Sequence, residues 1–352
     1  MRFFLIFSFV IFPLIALKSV QKIDYETRSL LRRWETGVIR GISAIFIIES
    51  HFLAWAIEMG AEVNKILQLI IGQLGGIGVL LFFFVSGYGI YESYAKKTPS
   101  WDYIKKRLEN VYIPYVFMKT IILLIFLVEG KINNLHDEIL RILLLEDWFI
   151  RVIVLQYLSF FFLWKFLKKG KSREKIIIGS LLIDCILSVV FVVKQRPLGW
   201  FNALWLFTVG FVVAEYKEKL IIWFQKNFIT KCIVLFVGFL ISGAIFAYFK
   251  GEVFWINVFK IVSGCFLVLL LCGILQKREL KSNVLTYVGE RSMYYYIVHL
   301  NVWELLNFIN NINLKVIFAF FISIILAECL FWSYKRLKEI VYGMLCKERR
   351  IG

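Results

Sequence analysis

Histidine, proline and acidic side chains are scarce in this sequence: three His, four Pro and 25 Asp plus Glu among 352 residues. Cysteine is also sparse. The six cysteines include no CxxC pair and no Cys/His spacing suited to a metal, which excludes a structural zinc and a redox dithiol. Cys185, Cys232, Cys265, Cys272 and Cys329 lie inside apolar runs and Cys346 lies near the end, where they read as small packing residues. No low-complexity run is present, nor an internal repeat of the kind that inverted-repeat transporters carry. What is abundant is apolar and basic. Hydrophobic residues make up 60%, with 35 Phe, 16 Tyr and 11 Trp, and the net charge is +17. A soluble core of this size could not bury so much apolar surface beneath so basic a shell. An ordinary cytosolic enzyme, a disordered tail and a secreted disulfide scaffold are all excluded, and a polytopic membrane protein fits.

About 20 mostly apolar residues cross a bilayer. Such stretches recur at 3–17, 40–58, 69–91, 112–128, 149–166, 176–193, 198–214, 230–249, 254–275, 284–304 and 314–334. The expected fold is all-α: a transmembrane bundle of ten core helices plus an extra N-terminal one. Residues 3–17 resemble a signal peptide in their opening, but Leu17-Lys18-Ser19-Val20 offers no small-x-small cleavage site, so they read as a retained helix. Lys and Arg alternate between the connecting segments. One set carries 31 of them and the intervening set 7, which places the first set, and the C-terminus, in the cytoplasm of a cell-membrane protein. The positive charge therefore needs no nucleic acid. The loops are too short to hold a sizeable soluble domain, and Pro114 is expected at the cytoplasmic start of a span, where its missing N–H costs least.

Ionisable side chains within spans are expensive and mark candidate sites. Arg40 and His51 are eleven residues apart on one predicted helix, three turns plus about 20°, so they share a face about 16 Å apart along the axis. Glu58 returns to that face near the outer end, while Glu49 points away. Arg40 suits either a headgroup anchor or a functional cation. His51 suits either a simple hydrogen bond or proton transfer near neutral pH. His299, after Tyr294-Tyr295-Tyr296-Ile297-Val298, is read equally well as an interfacial residue beside aromatic-belt tyrosines or as a substrate contact. His136 reads as solvated, Asp184 and Glu328 as interhelical glue, and Lys119 and Lys260 as long enough to snorkel. Gly75-Gly76-Ile77-Gly78 and Ser86-Gly87 suit either close helix packing or an exposed backbone N–H near a reacting group.

Several stretches together resemble acyltransferase family 3, integral membrane enzymes that move acyl groups, often acetyl, onto extracytoplasmic sugars. Glu35 through Ala44, ending at His51, is similar to the family's first core helix, with its arginine and histidine separated by ten residues. Gly78 with Phe82-Phe83-x-x-Ser86-Gly87 resembles the second-helix motif. Arg107 through Tyr112-Ile113-Pro114-Tyr115 resembles the basic approach to the third helix, Trp148-Phe149-Ile150 with Tyr157 the fourth, and Gly289-x-x-Ser292-x-Tyr294 leading to His299 the ninth. Two departures stand out. The family often has a second arginine where this chain has Asn110, and the helix at 3–17 precedes the usual ten.

The resemblance implies an acyl-CoA donor, usually acetyl-CoA, drawn from the cytoplasm, and a hydroxyl acceptor on an exported polysaccharide or glycolipid presented from outside among the membrane lipids. No metal is implied. His51 is then the candidate general base or acyl carrier, the two remaining open, with Arg40 beside it. Arg107, Ser86 and Lys119 are the candidate donor-binding residues; Glu58, His299 and Trp148 are the candidate acceptor contacts. The expected organisation is 1–34 as N-terminal helix and basic linker, 35–334 as the acyltransferase domain and 335–352 as a basic cytoplasmic tail. A glycan or lipid-linked-sugar transporter or flippase is the competing reading, and a polysaccharide polymerase a third. The first would show Gly/Pro-broken helices at matching places in two halves, and the second large arginine-rich outer loops.

Overall fold

The computed structural model describes residues 11–22, 29–94, 100–167, 173–197, 199–249 and 253–351. It is an all-helical membrane bundle. In chain order the elements are α1 (Phe12–Lys18), β1 (Val20–Lys22), α2 (Arg33–Glu58), α3 (Lys65–Tyr94), α4 (Trp101–Val128), α5 (Leu135–Leu143), α6 (Trp148–Leu167) and α7 (Arg173–Val193). After a turn of helix at Gly199–Asn202 come α8 (Trp205–Glu215), α9 (Lys217–Gln225), α10 (Phe228–Tyr248), α11 (Val253–Ile274), β2 (Arg278–Leu280), α12 (Asn283–Glu290), α13 (Ser292–Leu305) and α14 (Ile312–Ile351). The strands form one short antiparallel ladder, Val20 opposite Leu280.

Among the described residues eight helices are long and apolar enough to cross a membrane: α2, α3, α4, α6, α7, α10, α11 and α14. The predicted spans at 198–214 and 284–304 are each interrupted. The first breaks at Ala203-Leu204 and the second at Arg291, between α12 and α13. Arg291 explains the second break. Its guanidinium lies 3.6 Å from the Tyr287 ring centroid and 4.3 Å from that of Phe331, and pairs with Glu328 at 3.3 Å. Glu328 also accepts from the hydroxyls of Tyr287 and Tyr295. Arg291 and Tyr295 thus hold the bend to α14.

Three further expectations are corrected. Helix α2 begins seven residues before residue 40, because Glu35 accepts the backbone N–H of Arg32 at 2.9 Å and of Leu280 at 3.3 Å, fixing an overhang at the basic end. Pro114 stands in the first turn of the α-helical stretch Ile113–Val128, as expected, but the helix runs back from there to Trp101. The proline removes one donor from the helical ladder, and the turn just before it, Leu108–Tyr112, is a π-helix. The predicted loop 129–147 contains the amphipathic helix α5. Residues 3–10 of the first apolar run lie outside the described residues; the described part, α1, sets Phe12 against Phe46 with ring centroids 5.4 Å apart.

Close packing fixes the helices that carry the site. A Cβ on Gly41 would fall 2.1 Å from the Leu285 carbonyl oxygen, and one on Gly289 1.9 Å from that of Gly37, so α2 and α12 touch backbone to backbone. Gly87 and Gly210 do the same for α3 and α8. Hence the small residues around Ser86-Gly87 serve helix contact. Helix α3 runs unbroken through them, so their N–H groups are spent in its own ladder.

Candidate active site

His51 on α2 and His299 on α13 meet inside the bundle. His51 Nδ1 lies 2.8 Å from His299 Nε2, and the two ring planes are within 14° of parallel. The tautomers follow from the outer bonds. His299 Nδ1 is 2.6 Å from the Tyr296 carbonyl oxygen and 3.2 Å from that of Tyr295. A carbonyl only accepts, so Nδ1 carries the proton and, in the neutral ring, Nε2 presents its lone pair. His51 Nδ1–H then donates to that lone pair, which leaves His51 Nε2 as an unprotonated acceptor. His299 is fully buried and His51 half-buried. Around them stand Trp55, Phe52 and Trp303: the Trp55 ring is 5.4 Å from His51, and Trp55 and Trp303 are 5.2 Å apart. The bonds that the two imidazoles make are to each other and to main-chain carbonyls, so the wall that surrounds this base is aromatic rather than ionic.

A cavity of about 960 Å³ opens at the basic end of the bundle. Its walls include Arg32, Arg33, Arg40, Lys106 and Arg107, together with Ser86 and Asn110. Among the described residues Arg40 donates to the Thr36 carbonyl alone, at 3.3 Å. The Arg107 guanidinium lies over the rings of Tyr103 and Tyr157, 5.5 and 5.1 Å from their centroids. At the inner end Phe82 packs on Phe149 (5.2 Å), Phe149 on Tyr296 (4.5 Å), and Tyr296 on His299 (5.4 Å). Helix α13 joins the two regions. Tyr294 lines the cavity, and His299 is five residues further on, about 7.5 Å along the axis.

The remaining candidates divide. Arg40, Arg107 and Ser86 share the cavity wall. Lys119 does not. Twelve residues beyond Arg107, about 18 Å along α4, it donates instead to Asn301 Oδ1 at 3.0 Å, two residues past His299. Glu58 is exposed at the end of α2 and forms no part of the histidine pocket. Trp148 is half-buried beside Gly199, and its neighbour Phe149 is the residue that reaches Tyr296. Sequence reasoning missed Trp55 and Trp303, and named Phe149 and Tyr296 only as members of motifs, without their contact to each other or to His299. Asp147 accepts from the Tyr296 hydroxyl at 3.1 and 3.3 Å and from the Ile150 N–H at 3.1 Å. Burial pushes its carboxyl above the ordinary carboxylate range, against those hydrogen bonds. The i, i+3 spacing of Tyr296 and His299 hinted at their contact.

The profile of acyltransferase family 3, described as an acyltransferase domain, matches residues 36–332. The chain belongs to this family. No curated protein and no solved structure matches it. The matched region of this acyltransferase contains both members of the histidine pair and all the cavity-lining residues named above except Arg32 and Arg33. Among the described residues no group of three or more His, Cys, Asp or Glu could hold a metal ion.

Proposed function

We propose that this acyltransferase moves an acyl group, acetyl first among candidates, from cytoplasmic acyl-CoA to a hydroxyl of an extracytoplasmic polysaccharide or glycolipid. It would work in the cell membrane with the basic end toward the cytoplasm. The observation that carries the reading is the fixed tautomer of the His51–His299 pair, whose free Nε2 stands beyond a cation-lined cavity. Arg40 and Arg107 suit the phosphates of the donor, since guanidinium–phosphate bonds are charge-assisted and bidentate. The orientation is supported by the 31-to-7 partition of Lys and Arg.

In this mechanism His51 Nε2 takes the proton of the acceptor hydroxyl as its oxygen attacks the thioester carbonyl. The C–O ester bond forms, the C–S bond breaks, and the CoA thiolate recovers the proton from His51. His299 is a positioning residue: it holds the Nδ1–H of His51 and disperses the charge gained. Acyl carriage by the same Nε2 lone pair predicts a burst of CoA release without acceptor. A base mechanism predicts none.

The test is transfer of radiolabelled acetyl from acetyl-CoA to envelope polysaccharide by purified protein in nanodiscs. His51→Ala is expected to lower kcat about 10³-fold, within the span of general acid–base catalysis, while leaving the protein folded. Near-normal transfer by that variant would remove His51 from the mechanism. Gradient-driven glycan flux without any transfer would instead favour a transporter.

A further inference from the structure

On the face opposite the basic cavity, a second pocket of about 390 Å³ lies between α5, the first turn of α6 and the link from α7 to α8. At its base is Trp200, 7% exposed, with two guanidiniums over its ring: Arg151 at 5.0 Å and Arg196 at 5.1 Å from the centroid. Arg151 is held in place by a 2.6 Å bond from Nε to the carbonyl of Leu145, a residue at φ +56°. That bond leaves the outer edge of the Arg151 guanidinium available. The third arginine, Arg141, is compensated: it pairs with Glu138 at 2.9 Å and approaches Glu146 at 4.0 Å. Among the described residues neither Arg151 nor Arg196 has such an ion pair. Two like charges on one indole repel, and cation–π attraction offsets this only in part. An anion between the two forks would complete the arrangement.

The rest of the lining narrows the ligand. Asp137 and Glu146 share the pocket. Carboxylates oppose a bare phosphate but accept bonds from sugar hydroxyls, so the lining fits a molecule that has both. A run of neighbouring aromatic residues leads from the pocket to the histidine pair. Trp148 lies beside Gly199, where an added Cβ would stand 3.5 Å from its indole, Phe149 follows Trp148 and meets Tyr296, and Tyr296 packs on His299. We infer that Arg151 and Arg196 form a binding site for an anionic acceptor glycan, one whose sugar units carry phosphate or carboxylate groups. This names the acceptor class within the acyl-transfer reading and rests on it.

Binding tests the inference without relying on turnover. The full chain in phosphatidylcholine nanodiscs would be titrated with glycerol-phosphate oligomers, with glucuronate-containing oligosaccharides and with a neutral dextran of equal length. At least one anionic glycan is expected to bind tenfold or more tighter than dextran, and to weaken with added salt. Arg151→Gln with Arg196→Gln should remove that preference, whereas the paired Lys variant should keep part of it; Arg196→Gln alone, at an exposed position, covers the case in which the double variant fails to fold. Equal binding of charged and neutral glycans, or an unaltered preference in the Gln variants, would overturn the inference. So would a site that responds only to phosphatidylglycerol in the disc, since the anion would then be a lipid headgroup. His51→Ala should bind as the wild type does. If binding holds while acyl transfer is absent from every form, the function reading fails and this site stands.

Discussion

The basic cavity and the histidine pair share α2 and α13 but are built in opposite ways. The cavity is wide and lined by five cations, Arg32, Arg33, Arg40, Lys106 and Arg107. The histidine pair is enclosed by Trp55, Phe52, Trp303 and Tyr296, and every imidazole bond made within the chain has one direction only. A charged ligand tolerates many poses in the first region, because Coulomb attraction varies slowly with distance. The second demands one tautomer, and a low-polarity wall keeps a neutral imidazole from exchanging its proton with water. Affinity is expected to reside in one place and rate in the other.

The sharpest way to break that comparison after His51 itself is His299. His299→Ala takes away the acceptor for His51 Nδ1–H, so the proton is free to occupy either ring nitrogen. The expected result is a kcat about 100-fold lower with KM for both substrates nearly unchanged. His299→Gln, whose amide oxygen can accept from Nδ1–H, should recover part of the loss. A fall in donor affinity instead would mean that His299 serves the cavity.

Next in size is the cavity. Arg40→Ala and Arg107→Ala each remove a charge-assisted contact to the proposed donor, worth about 1.5–3 kcal/mol, so KM for acyl-CoA should rise at least tenfold while kcat changes less. The effect should shrink as ionic strength increases. If either variant lowered kcat as strongly as His299→Ala, the division between affinity and rate would fail. Asn110→Arg sharpens it: a further guanidinium on the same wall should tighten donor binding without altering kcat.

Local regularities were legible in the sequence, and contacts between distant segments were not. Every span had to supply about 20 apolar residues, so hydropathy located eight helices that run unbroken and two apolar stretches that prove to be interrupted, and the 100° step of a helix set Arg40 and His51 on one predicted face. Hydropathy does not say which helices adjoin. His51 and His299 are 248 residues apart, and nothing in their spacing sets one ring against the other. Phe149 was visible as part of a motif, but nothing local told its ring, one Phe among 35, to pack on Tyr296. Lys119 was assigned by its charge alone, and the helical rise carried it away from the cavity. The bend at Arg291 was invisible because the apolar pattern runs on through it, while its cause is an ion pair with Glu328.

Asp184 gives the smallest effect and the cleanest control, because it is a buried charge of a third kind, in neither region. It is fully buried, accepting from Gln156 Nε2 at 2.7 Å and from Thr208 Oγ1 at 2.6 Å, and so ties α6, α7 and α8 together. Neither donor has a duty in the cavity or the histidine pocket. Asp184→Leu strands both. Gln156 retains a long bond to the Leu204 carbonyl at 3.5 Å, so the cost should lie near the lower end of the roughly 1–3 kcal/mol expected for an unpaired buried group. Asp184→Asn keeps an acceptor and should cost less. The melting temperature in detergent should therefore drop for Leu and hardly for Asn, with acyl transfer per folded molecule unchanged in both. A tenfold loss of kcat at an unaltered melting temperature would place Asp184 in the path of the proton, and the rate-determining region would then extend beyond the aromatic wall that surrounds His51.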